Sequence, residues 1–298
     1  MHIPVLQKEV LNYLNPKPNE NFVDCTVGEG GHSLLIVEKI LPQGKILGID
    51  WDSEAIKNLE SRLQNLEFKK NFILVCDNFV NLKKIVKNCN FQPDGILIDL
   101  GFASSQIEES ERGFSFQRDE KLDMRYNAQL NDLTAEKIVN NWPQNEITRV
   151  LEDYGEERFA KKIASRLVEE REKKPIETTF QLTEMIGKST PGWYHHQKIH
   201  FATRTFQALR IAVNKELDNL SNVLPQTLEI LKPSGRIVII AFHSLEDRII
   251  KNFLKEKSKE GLIEVLTKKP IGPAEEEIRM NPRSRSAKLR AFQKLSKS

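Results

Sequence analysis

Cysteine is scarce in this chain, with three in 298 residues (Cys25, Cys76 and Cys89) and no CxxC spacing. That excludes a disulfide framework and a cysteine zinc site, and the odd number, with Cys25 and Cys76 in predicted buried strands, reads as free thiols. No apolar run approaches the length that crosses a bilayer. The opening Met1-His-Ile-Pro-Val-Leu lacks a basic stretch followed by a long apolar one, so the expectation is a cytoplasmic protein with no secretory signal and no membrane partner. Neither an internal repeat nor a low-complexity tract is visible. Acids are missing altogether from residues 279–298, which hold seven Arg or Lys. The whole chain is +3 from 45 bases and 42 acids, so the remainder carries 38 bases against 42 acids, a net of −4. Positive charge confined to one end points to a polyanion, the competing reading being a solvated tail.

What is present is enough apolar sequence, 39% hydrophobic beside 29% charged, for a soluble globular protein of one large or two modest domains. Its centre is Asp24-Cys-Thr-Val-Gly28-Glu-Gly30-Gly31-His32. Phe22 and Val23 lead in as strand, the glycines let the backbone turn and approach a ligand, and Leu34, Leu35 and Val37 begin a helical stripe. The next strand ends in Asp50, where a carboxylate can accept hydrogen bonds from both hydroxyls of a ribose. A dinucleotide site reads G-x-G-x-x-G and reserves helix-start amides for a pyrophosphate. Here the pattern is G-x-G-G with Ser33 in the last glycine's place, which favours S-adenosyl-L-methionine, a cofactor without phosphate. A dinucleotide cofactor and a ligand-free turn are the competing readings.

Strands and helices then alternate: helix 4–14, strand 21–25, helix 32–41, strand 45–50, helix 53–64, strand 72–76, helix 79–87 and strand 94–100. Such alternation predicts a parallel sheet with helices on both faces. From 105 to 205 only helical periodicity is found, with Thr134 as a cap and stops at Gly155, before Pro175 and at Gly187. The sheet resumes through helix 205–231, strand 235–242, helix 244–258 and strand 262–267. Ala287-Lys-Leu-Arg-Ala-Phe292 reads as a closing strand that buries one face and presents Lys288 and Arg290 on the other, in preference to a disordered tail. The expectation is therefore an α/β fold with a mostly parallel, Rossmann-like sheet domain (1–104 and 206–298) and an inserted all-helical domain (105–205) for substrate recognition.

Ligands of an open parallel sheet bind at the carboxyl ends of its strands. Asp24, Gly28, Asp50, Asp77 to Phe79, Asp99 to Phe102, and Phe242 with His243 all fall there. Phe79 could cover an adenine, with Asp77 or Asn78 on its amino edge, or could simply be core. Asp99 suits transfer to an exocyclic amine, because a carboxylate accepting the N–H bonds localises the nitrogen lone pair and positions it. The alternative is that Asp99 only binds the cofactor. Ser244 is a plausible cap for the helix after Phe242, with Glu246 and Asp247 in its first turn, which leaves His243 for the substrate. No carboxylate or cysteine completes a zinc site around His195, His196 and His200, so no metal is expected. A stacking or phosphate-contacting surface that includes Arg204 is the preferred reading there. Arg283, Arg285, Lys288 and Arg290 are the expected phosphate contacts of the basic end.

Longer strings carry a resemblance over nearly the whole chain: His2-Ile-Pro-Val-Leu, the turn ending in Gly30-Gly-His32, Asp99-Leu-Gly, Arg112-Gly-Phe-Ser-Phe, Leu122-Asp-Met-Arg125, Tyr154-Gly-Glu-Glu-Arg158, Thr203-Arg-Thr-Phe-Gln-Ala-Leu-Arg210, Phe242-His-Ser-Leu-Glu-Asp-Arg248 and Asn281-Pro-Arg-Ser-Arg-Ser-Ala-Lys-Leu-Arg290. In these the chain resembles the bacterial 16S ribosomal RNA (cytosine-N4)-methyltransferases. The resemblance implies a class I methyltransferase fold and S-adenosyl-L-methionine contacts at Gly30, Gly31, His32, Asp50, Phe79, Asp99 and Gln106. It also implies that the substrate is N4 of a cytidine in the decoding region, cytidine 1402 of 16S ribosomal RNA, with the small ribosomal subunit as partner. The chain departs from the family's usual Val-Ser-Ser-Pro-Gln after Asp-Leu-Gly, having Phe102-Ala-Ser-Ser-Gln106, and Phe201 stands where proline is common. Competing readings are a methyltransferase of DNA or protein, and a ribosome-assembly factor that binds RNA and cofactor without turnover.

Overall fold

The computed structural model describes residues 4–101 and 111–296. Its contacts divide the chain into two compact units, Met1–Gly101 with Leu217–Ser298, and Phe102–Glu216.

The first unit is built on seven strands: β1 (Phe22–Asp24), β2 (Ile46–Asp50), β3 (Phe72–Cys76), β4 (Gly95–Asp99), β5 (Arg236–Ala241), β6 (Ile263–Val265) and β7 (Lys288–Lys294). They are ordered β3-β2-β1-β4-β5-β7-β6. β1 to β5 pair in parallel, whereas β7 runs antiparallel to both β5 and β6. The order reverses between β1 and β4, so the carboxyl ends of those two strands open onto the crevice where such sheets bind ligands. Both faces are covered, and successive residues of each strand feed opposite cores. Val23, Ile96, Ile98, Ile237 and Ile239 pack into one; Phe22, Leu97, Val238 and Ile240 pack into the other. That double burial is why these strands read as apolar runs without polar alternation.

Three expectations for this unit need correction. The closing strand lies within the sheet, one place from its edge, and is buried from Leu289 to Phe292. Arg290 is therefore 6% exposed, with Nε donating to Asp247 Oδ1 at 2.6 Å, and is no phosphate contact. Cys76 is exposed at the end of edge strand β3, unlike buried Cys25. The first helix starts at Gln7, because Leu6 is left-handed (φ 56°) and its N–H donates to Glu277 Oε1 at 2.7 Å.

The second unit packs the helices Ala135–Asn141, Gln144–Gly155, Ala160–Arg171, Thr179–Ser189, Gly192–His195 and Thr203–Asn214. Ile138, Ile147, Leu151, Ile163, Leu167, Leu182 and Ile186 meet in its core, each from a stripe of helical spacing. Thr134 caps the first of these helices by accepting from Lys137 N–H, and Thr178 forms a capping box with Gln181. Among the described residues its only ladder contact is the isolated bridge Lys121–Thr178. The expected helix 205–231 is in fact two, broken at left-handed Lys215 (φ 53°). Its first half buries Phe206, Ala208, Leu209 and Val213 in the helical core, which moves the second boundary from 205/206 to 216/217. No described helix is long and apolar enough to cross a membrane.

Candidate active site

The glycine turn leaves β1 with Gly28 at φ +48° and Gly30 at φ +79°, both left-handed, and enters the helix Gly31–Ile40. A Cβ on Gly30 would fall 2.6 Å from Leu59 Cδ1, so sterics and dihedral agree on glycine. Ser33, in the place of a dinucleotide site's last glycine, donates its hydroxyl to Asp24 Oδ2 at 2.7 Å. Asp24 is buried; desolvation pushes its carboxyl up, partly opposed by Ser33, the neighbouring His32 and the Thr26 N–H. Ser33 thus holds an internal carboxylate beneath the turn.

Asp50 ends β2 and clamps the turn from the other side. Its Oδ2 accepts from Gly28 N–H at 2.8 Å and its Oδ1 from Asp52 N–H at 2.9 Å. Burial pushes this carboxyl up to about 6, against the pull of those two donors. Each oxygen keeps a second acceptor site, the arrangement a ribose diol requires.

Asp99 ends β4. Its N–H donates to Thr26 Oγ1 at 2.8 Å, tying β4 to the turn, and its Oδ1 accepts from Gly101 N–H at 3.0 Å. Its Oδ2 lies 3.5 Å from His32 Nε2. His32 is 6% exposed, and both ring nitrogens are buried without a hydrogen-bond partner. Buried orphans of this kind mark groups waiting for a ligand or water. A Cβ on Gly101 would strike the Phe242 ring at 2.7 Å, so glycine there lets the aromatic end of β5 close on Asp99.

Gly30, Gly31, His32, Asp50 and Asp99 therefore converge at the carboxyl ends of β1, β2 and β4, where glycine backbone, two carboxylates and an unsatisfied imidazole could hold an adenosyl cofactor. Phe79 opens a short turn after β3 and packs partly against the core of the same sheet face. Beside it Asn78 accepts from Val80 N–H, and Asp77 Oδ1 accepts from Asn78 N–H and Asn81 Nδ2. Gln106 and Phe102 lie outside the described residues.

The expected substrate contacts are divided between the two units. Arg283 and Arg285 stand exposed on the turn Pro282–Ser286. Arg204, in the helical unit, donates to Glu156 O at 2.8 Å just past a helix end, a capping contact. His243, not Ser244, caps the helix Ser244–Lys259: its Nδ1 accepts from Glu246 N–H, while Glu246 Oε2 accepts from Phe242 N–H at 2.8 Å and His243 N–H at 3.2 Å. Sequence reasoning missed this because histidine is an uncommon cap, although Glu246 three residues on was the available signal. In the helical unit, His195 stacks on Phe201, and His200 on Phe201 and Phe116, at 4.2–4.4 Å.

The MraW methylase family model matches residues 1–295. The chain is 43% identical to the ribosomal RNA small subunit methyltransferase H of Heliobacterium mobile and 44% identical to that of Clostridium botulinum strain 657, in both cases over 99% of each chain. A crystal structure of a putative rRNA-methylase from Clostridium thermocellum shares the fold, with TM-score 0.52 and 13% identity over 99% of this chain and 100% of that one. With the match running through both units and the glycine turn intact, the chain belongs to the MraW methylase family and is an S-adenosyl-L-methionine-dependent methyltransferase.

Proposed function

We propose that this chain methylates N4 of a cytidine in 16S ribosomal RNA, cytidine 1402 in its family's numbering, acting in the cytoplasm on the small ribosomal subunit. The observation that carries the reading is Asp99: a partly exposed carboxylate at the switch point, oriented through Oδ1 by Gly101 and flanked at Oδ2 by an orphaned His32. The bound cofactor supplies an electrophilic sulfonium methyl. Gly30 and Gly31 would give its amino-acid end close backbone approach, Asp50 would accept from its ribose hydroxyls, and Phe79 would cover its base. Gln106 joins this set by resemblance.

Asp99 accepts an N–H bond of the cytosine amine, which draws the lone pair out of the ring and toward the methyl. As the N–C bond forms, the methyl's bond to sulfur would break with its electron pair left on sulfur, and the amine proton passes to the carboxylate and on to water. A cytosine paired in a helix hides this amine, so the enzyme needs an exposed or flipped base. Arg283 and Arg285 contribute phosphate contacts from the basic end.

Asp99→Asn keeps an acceptor oxygen and loses the charge, whereas Asp99→Ala removes both. In single-turnover transfer at saturating cofactor, the alanine variant is expected to be about 10²–10⁴-fold slower than wild type, with asparagine between them. Equal rates for wild type and Asp99→Ala would make Asp99 a cofactor ligand only, and methyl on carbon 5 or a ribose oxygen would overturn the amine chemistry.

A further inference from the structure

The helical unit carries a groove of about 550 Å³ along the helix Ala160–Arg171, lined by Gln144, Lys161, Lys162, Arg166, Glu169 and Lys188 among others. Four of these six are cations and one is an acid. Arg166 has a carboxylate at 3.4 Å in Glu170, and Lys188 has one at 2.6 Å in Glu184. Among the described residues no ion pair is recorded for Lys161 or Lys162, both exposed. They occupy the first turn of their helix, which contains no acid and where the helix dipole disfavours cations, so helix stability does not explain them.

Lys162 links the groove to an aromatic cluster. Lys162 Nζ stands 6.0 Å from the Phe159 ring centroid, and Phe159 meets Trp193 edge-on at 5.9 Å and Tyr194 at 5.0 Å. Tyr194 is buried and donates its hydroxyl to buried Glu157 at 2.8 Å, which fixes the short helix Gly192–His195. Trp193, the residue before it, is nevertheless 55% exposed. A large aromatic face held rigidly in water beside unneutralised cations is what a single-stranded nucleic acid uses, with phosphates on the lysines and a base on the ring.

We propose that this groove binds a single-stranded segment of the substrate RNA, with Lys161 and Lys162 on successive phosphates and one base stacked on Trp193. The inference rests on the reading of RNA as substrate and adds the surface that holds it. The test is equilibrium binding of a labelled single-stranded fragment of small-subunit RNA across a salt series. Two phosphate contacts on a single strand predict that Lys161→Gln with Lys162→Gln lowers the salt slope by about 1.4. Restoring charge with Lys161→Arg and Lys162→Arg returns it. Trp193→Ala weakens binding by about 5–150-fold and leaves the slope alone. Calorimetry should find S-adenosyl-L-methionine affinity unchanged in all three, because none touches the glycine turn. Wild-type affinity and slope in both the double glutamine and the Trp193 variants would overturn the groove. If wild type fails to methylate N4, the parent reading falls while these binding curves still judge the groove on their own.

Discussion

Protonation of Asp50 should be felt directly at the cofactor. Its carboxyl titrates at about 6 because burial outweighs the Gly28 and Asp52 donors. Above that pH it is ionised and, on the proposed reading, would accept from the ribose hydroxyls; below it, a proton would occupy one acceptor site. S-adenosyl-L-methionine affinity is therefore expected to fall as pH drops from 7 through 6. Asp50→Asn should remove that pH dependence and bind about 1–3 kcal/mol more weakly at pH 7, read by calorimetry in the folded variant. The same shift has a sign for folding: the folded state holds its proton more tightly than the unfolded one, so this group's contribution to stability declines as pH rises from 3.8 through about 6. The strand ends at Asp50 and Asp99 and the turn at Gly30 were legible from sequence because strand ends and glycine spacing are local signals. Thr26 on the Asp99 amide was not, since that bond exists only once β1 and β4 pair.

Single elements are governed by their ends. The helix Ser244–Lys259 begins in a reciprocal box in which Glu246, 3% exposed, serves two backbone donors and His243 serves one. Glu246→Ala strands buried N–H groups and is expected to cost about 1–3 kcal/mol. His243→Ala removes a single cap, about 1 kcal/mol. Urea unfolding should rank the two in that order, with Glu246→Gln between wild type and Glu246→Ala; a larger loss from His243→Ala would point to a role for the histidine beyond capping. Most elements were readable from their apolar period, as with the stripe Ile147, Val150 and Leu151. The short helix Glu275–Met280 was not, because none of its residues is buried and it has no apolar face to read.

At the scale of the whole molecule, the basic end separates into two chemistries. Arg290 is sealed against Asp247 inside the sheet unit, whereas Arg283 and Arg285 project from an exposed turn. Arg290→Gln leaves the part-buried Asp247 carboxylate without its charged partner and is expected to cost about 1–3 kcal/mol in chemical denaturation, with cofactor binding lost only through unfolding. Arg283→Gln with Arg285→Gln should change stability by no more than about 0.5 kcal/mol each. The pair should nevertheless lower the salt slope of RNA binding by about 0.7 per arginine lost. The opposite pattern, with Arg290 dispensable and the exposed pair essential to folding, would reverse the assignment.

Chain order alone determined that a parallel α/β sheet would be interrupted by helices, because periods of 2 and 3.6 are properties of neighbouring residues. It also determined where the glycine turn lies, since only glycine tolerates Gly30's dihedral and close contact. Tertiary structure decided which charges remain in water. Alternation along β7 assigns Arg290 to one face of a strand, but only the placement of β7 between β5 and β6 reveals that this face is covered by a helix carrying Asp247. The same holds for Lys215, where a continuous apolar period crosses a left-handed break and the two halves enter different cores. Periodicity reports which face is buried; packing alone says against what.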